Sequence, residues 1–204
     1  MATFPAVIVG CWNVGFQANT AMESMGLEQV DNWRHVFLHY FGYSADSFIA
    51  NLAHGMLYWI PIYMTTFIVG GMWEVLFASV RNHEVNEGFF VTSILFSLIL
   101  PPSIPLWQVA LGVSFGLVIG KEIFGGTGKN FLNPALVGRA FLYFAYPAQM
   151  SGDTVWTAVD GWTSATTLGV AKLEGMAGIE AAGINWMDTF LGVTQGSIGE
   201  VSAL

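Results

Sequence analysis

A carboxylate inside a long apolar run is the first side chain in this sequence that invites a chemical reading. Residues 52–80 are apolar apart from His54 and Glu74. An ionisable group near the middle of a membrane helix costs about 2.5–3.5 kcal/mol on insertion scales and marks a pathway or a site. Gly70 and Gly71 precede Glu74 by four and three residues. On a helix these three share one face, where bare backbone lies beside a carboxylate. A flat ring or a cation could use that surface. The other reading is that the glycines pack a neighbouring helix while Glu74 snorkels or pairs with Arg81.

Two amides form the second candidate. Asn133 followed by Pro134 reads as a helix start, with Asn as the cap and Pro in the first turn. Asn130, one turn earlier, adds a second amide, and two amides can read the hydrogen-bonding edge of a heterocycle; both roles can coexist. The stretch Gly125-Gly126-Thr127-Gly128-Lys129-Asn130 is no triphosphate loop, since that motif needs Gly in place of Ile123 and Ser or Thr in place of Asn130.

Other residues offer less. His35 and His39 stand four apart without a regularly placed acidic or thiol partner, so no metal site is expected. The run His83-Glu84-Val85-Asn86-Glu87 lacks the second His of a zincin and reads as a solvated loop. The lone Cys11 is read as a core residue. It excludes a disulfide framework within the chain, and a Cys-rich metal or iron–sulfur centre built by this chain alone. Residues 160–169, rich in hydroxyls and including Thr166 and Thr167, read in isolation as a Ser/Thr-rich turn.

The scaffold around these groups follows from composition. The chain has 204 residues, 54% hydrophobic and 10% charged, whereas soluble domains carry roughly 25% charged residues. Sixteen Phe, eight Trp and 24 Gly suit lipid-facing surfaces and close helix packing. The expected fold is an all-α integral membrane protein, a multi-span helical bundle in contact with the lipid bilayer. A net charge of −8 and six scattered basic residues leave no patch for nucleic acid.

Spans are expected near 4–18, 52–80, 89–121 and 134–148, within a bundle covering 1–151. The run at the amino end reads as a membrane segment and not a signal peptide, having no basic region before it. The third span is interrupted by Pro101-Pro102-Ser103-Ile104-Pro105, and proline ends a helix because it lacks a donor and clashes with the preceding turn. It is therefore expected as a broken or re-entrant pair, an arrangement tolerated only where protein or water lines it and one that accompanies sites. The polar, Gly-rich stretch 152–204 is expected outside the bundle. The abrupt stop after Leu204 suggests a fragment.

Basic residues give an orientation. Arg81, Lys121, Lys129 and Arg139 fall around two connections that the re-entrant reading places on one side, which the positive-inside rule makes cytoplasmic. Residues 20–50 and 152–204 then face outward, with ten of the fourteen acids but only Arg34 and Lys172.

Several long runs also carry a resemblance. Residues 67–77 (FIVGGMWEVLF), 83–90 (HEVNEGFF), 121–134 (KEIFGGTGKNFLNP) and 196–201 (GSIGEV) closely resemble the B-subunit family of bacterial sodium-translocating NADH:quinone reductases. The resemblance covers nearly the whole chain and is loosest over 20–50. It implies half of an internally repeated bundle in the bacterial inner membrane. It implies an enzyme only as one subunit of a multi-subunit translocase that moves electrons to ubiquinone and exports Na+. Residues 160–168 resemble that family's flavinylation motif, which implies FMN esterified through its phosphate to Thr166, on the periplasmic side; Thr167 offers an adjacent hydroxyl. The resemblance further implies riboflavin near Asn130 and Asn133, and quinone or its analogues near Gly70, Gly71 and Glu74. Two other readings fit the same features: the D-subunit of the related Rnf electron-transfer complex, and a flavin-free channel or transporter.

Overall fold

The structure is a computed structural model that describes residues 3–199 and 201. Glu200, within the last of the resembling runs, and both chain ends lie outside the described residues. Among the described residues there is no strand. Nine α-helices are described: α1 (Phe4–Met25), α2 (His35–Leu38), α3 (Phe48–Arg81), α4 (Gly88–Leu98), α5 (Leu106–Gly120), α6 (Pro134–Ala145), α7 (Pro147–Met150), α8 (Thr167–Ala181) and α9 (Trp186–Leu191), with a 3-10 turn at Glu122–Phe124. They group into two compact units, one of residues 1–59, 101–103 and 152–204, the other of 60–100 and 104–151.

The first unit is built on α1. Pro5 lies in its first turn, and Gly26 ends it at φ 68°, where the Gly26 and Leu27 amides close on the Glu23 and Met22 carbonyls. The apolar run that suggested a span over 4–18 ends near Ala18, but the helix continues to Met25. Buried Asn19 is satisfied from the neighbouring helix: it donates to Asn51 Oδ1 at 2.7 Å and faces His54 Nδ1 at 2.8 Å, both on α3. Loss of hydropathy therefore marks a change of surroundings and not a helix end.

Glycines let α1 and the first half of α3 touch backbone to backbone. A Cβ at Gly15 would collide with the Asn51 carbonyl, and one at Gly55 with the Cys11 carbonyl. Small residues at a crossing allow this approach. Cys11 is fully buried there.

In the second unit the latter part of α3 buries Ile62, Thr66, Gly70, Glu74 and Ala78, one face repeated every four residues. Helices α4 and α5 are separated by residues 99–105, with Pro105 extended as the cap of α5. On α5, Gly112, Gly116 and Gly120 recur every four residues. A Cβ at Gly116 would strike the Pro134 carbonyl, and one at Gly138 of α6 the Gly112 carbonyl. The Phe115 and Phe141 rings stack 4.4 Å apart beside this contact.

Among the described residues two stretches are long and apolar enough to cross a membrane: α3, with 34 residues, and Leu106–Phe124, with 19. At about 1.5 Å per residue α3 is longer than the hydrocarbon layer of about 30 Å. Helices α4 and α6 are apolar but shorter.

Candidate functional site

Glu74 lies on the buried face of α3, and its partner is Lys121, the residue that ends α5. Lys121 Nζ donates to Glu74 Oε1, with each side chain only 4% exposed. The same ammonium stands 3.6 Å from Glu122 Oε1. Glu122 is held in turn by Arg81, whose Nη1 donates to Oε2 at 2.7 Å and whose Nη2 donates to the Glu122 carbonyl at 2.5 Å. The four form a chain of alternating charge with no net excess. Glu74, Lys121 and Glu122 are buried while Arg81 reaches the surface; burying three charges is tolerable only because each has an opposite neighbour, and removing one orphans another.

This bears on two of the sequence readings, the first being the alternative for Glu74. Glu74 neither snorkels nor pairs with Arg81, because Lys121 reaches it from α5 while Arg81 is taken by Glu122. Lys121, counted among the loop cations that set the orientation, is buried in that pair. Sequence reasoning missed Lys121 and Glu122 as partners. The available signal was Lys121 at the end of the next apolar run, a cation placed to balance a buried carboxylate on the neighbouring span.

Gly70 and Gly71 lie under the ring of Phe89. A Cβ on Gly70 would come within 2.6 Å of Phe89 Cε2 and 3.1 Å of Leu117 Cδ1, while one on Gly71 would make ordinary contact at 3.7 Å. The flat group on this bare backbone is thus a side chain of the protein itself. Phe67 lies 5.5 Å from the Phe89 ring.

The loop after α5 turns on Gly125, Gly126 and Gly128, with φ of 109°, 91° and 84°. These values suit glycine because a Cβ would be strained there. Past the turn, Asn130 Nδ2 donates to the Leu132 carbonyl at 2.7 Å. Asn133 caps α6, its Oδ1 accepting from the amides of Ala135 at 2.9 Å and Leu136 at 3.4 Å. Asn133 is exposed and Asn130 half-buried, so both stand at the surface of their unit.

In the first unit Thr166 is the cap of α8, and its Oγ1 accepts from the Gly169 amide at 3.2 Å. Thr167 begins the helix and, with Ser164, Gln17, Thr194 and Gln195, lines a cavity of about 260 Å³. Among the described residues Gln195 Oε1 is buried without a hydrogen-bond partner. Thr166 thus sits one residue from a polar hollow, at a helix start whose amide groups and dipole favour an anion.

Along residues 1–204 the sequence matches the NQR2, RnfD, RnfE family, and the chain belongs to that family. Among proteins to which it is similar, the B-subunit of the Na(+)-translocating NADH-quinone reductase of Azotobacter vinelandii is 61% identical over 207 residues, all of this chain and 51% of that protein. The B-subunits of the same reductase in Ectopseudomonas mendocina and Pseudomonas aeruginosa are 60% and 61% identical over the same share. The chain spans about half the length of these curated relatives.

Proposed function

We propose that this chain is a membrane redox subunit of a sodium-pumping NADH:ubiquinone oxidoreductase in the bacterial inner membrane, active only with the other subunits of that complex. The observation that carries the reading is identity near 60% along the entire chain with relatives named for that activity. The two long apolar stretches, α3 and Leu106–Phe124, suit a multi-span protein, and the proline break between α4 and α5 suits a re-entrant pair.

The residues present fit a flavin phosphate at Thr166. Its hydroxyl is at the start of α8, where a phosphate ester would meet backbone amides. The neighbouring cavity offers hydroxyls, and an unpartnered amide oxygen that could accept from a hydroxyl of the flavin's sugar chain. Thr166 would carry FMN covalently on the periplasmic side. Asn130 and Asn133 would hold riboflavin, with the Asn130 amide exchanging its bond to the Leu132 carbonyl for one to the ring. The flavins supply the electron-transfer chemistry; the chain supplies attachment, orientation and charge.

Gly70, Gly71 and Glu74 would form the quinone and ion site. There Phe89 must swing away before a quinone ring can lie on the two glycines. Glu74, already paired, would accept a cation only as its pairing loosens.

Mass spectrometry of the 140–172 tryptic peptide from the native complex tests the attachment. The expected result is a mass raised by FMN less one water. Recovery at the unmodified mass would remove the covalent flavin from this chain.

A further inference from the structure

The pairing of Glu74 raises a question of access. Glu122 is neutralised by Arg81, which holds both its carboxylate and its carbonyl. The charge left over between the two carboxylates is therefore that of Glu74, and it is met by one tethered cation, the Lys121 ammonium, which contacts Glu74 and stands 3.6 Å from Glu122. A free monovalent cation carries the same charge. In a buried pocket two cations cannot share a single uncompensated carboxylate, because their repulsion is weakly screened.

We propose that Lys121 is a positioning residue for Glu74: it occupies the place beside the carboxylate that a free sodium ion would otherwise take, and so sets the affinity of that carboxylate for the ion. The inference rests on the reading that Glu74 belongs to the ion site. Its physical content is competition. The ammonium is tied to the end of α5, where Lys121 leaves helical geometry at φ −132° and ψ −58°, so its withdrawal and return are limited by its own side chain. Entry of the ion requires Lys121 to leave Glu74, and its return expels the ion. Among the described residues, the charged groups that share this cluster with Glu74 are Lys121, Glu122 and Arg81.

The test uses the full assembled complex and sodium chloride as the probe. In Lys121→Met the competing cation is gone. The apparent KM for sodium is expected to fall about tenfold while kcat also falls, because bound ion is no longer expelled. Lys121→Arg, which restores the charge, is expected to return KM to within about twofold of the parent. The sodium concentration giving half-maximal thermal protection of the complex, which needs no turnover, is expected to shift with KM. In Lys121→Met/Glu74→Gln the sodium response is expected to match that of Glu74→Gln alone, since Lys121 acts only through Glu74.

An unchanged or raised KM in Lys121→Met, or additive effects in the double variant, would overturn the proposal. Lys121→Gln, which keeps a donor without the charge, serves as the second variant. Loss of assembly in both would also overturn it, by making the pair a structural staple. If Glu74→Gln alone leaves kcat and sodium dependence untouched, the placement of Glu74 in the ion site fails instead.

Discussion

Lys121 donates to Glu74 in the interior of the second unit, so a carboxylate that looks isolated in its apolar run is half of an ion pair. Glu74→Gln would strand the Lys121 ammonium beside a neutral amide. Breaking one side of a buried pair costs about 3–5 kcal/mol. The expected outcome is a lower unfolding temperature of the assembled complex, partly recovered in the double variant that also neutralises Lys121. Weaker quinone reduction or sodium uptake is expected from the same substitution, measured on the assembled enzyme. Turnover and sodium dependence equal to the parent would take Glu74 out of the site.

The α5–α6 contact is a second place where one atom group decides the outcome. A Cβ at Gly116 would run into the Pro134 carbonyl, which is backbone at the start of α6 and cannot swing aside as a side chain can. Overpacking costs about 1–3 kcal/mol where side chains can yield, and an immovable neighbour places Gly116→Leu at or above the top of that range. Thermal unfolding in detergent should show the loss, while Leu136→Ala, at an exposed position of α6, should change little. Equal midpoints for the two variants would contradict the packing described.

If Thr166 carries the proposed flavin, capping and attachment make separable demands on it. Thr166→Asp keeps an acceptor for the Gly169 amide but offers no hydroxyl to esterify. It should retain stability and lose the fluorescent band on a denaturing gel. Thr166→Leu should lose both, with about 1 kcal/mol of helix stability gone with the cap. Thr167→Ala should keep the band. A band surviving in Thr166→Leu and vanishing in Thr167→Ala would move the attachment by one residue.

How much of this was legible in the sequence depended on whether the signal was local. The interruption between α4 and α5 is written in Pro101, Pro102 and Pro105, and the start of α6 in Asn133-Pro134, because each acts on its own backbone. The full length of α1 was not legible from hydropathy: Asn19 is kept in a buried helix by Asn51 and His54, which lie far away in sequence. The same holds for the site. Glu74 stood out as a charge in an apolar run, but which cation would meet it depended on the packing of α5 against α3, and Arg81, nearer in sequence, went to Glu122 instead. Gly70 and Gly71 were legible as bare backbone; that Phe89 fills the space above them was not.

Asn133 tests whether a cap can also be a ligand. Its Oδ1 is committed to the amides of Ala135 and Leu136, so any contact to a flavin ring must come from its Nδ2 group. Asn133→Asp keeps the capping oxygen and removes that donor, whereas Asn133→Ala removes both and should cost about 1 kcal/mol of stability. If Asn133 holds riboflavin, the Asp variant keeps its unfolding temperature but yields a complex with less extractable riboflavin, and Asn130→Ala shows the same loss without any effect on the α6 cap. Full riboflavin content in both Asn133→Asp and Asn130→Ala would confine Asn133 to capping and place the flavin elsewhere in the complex.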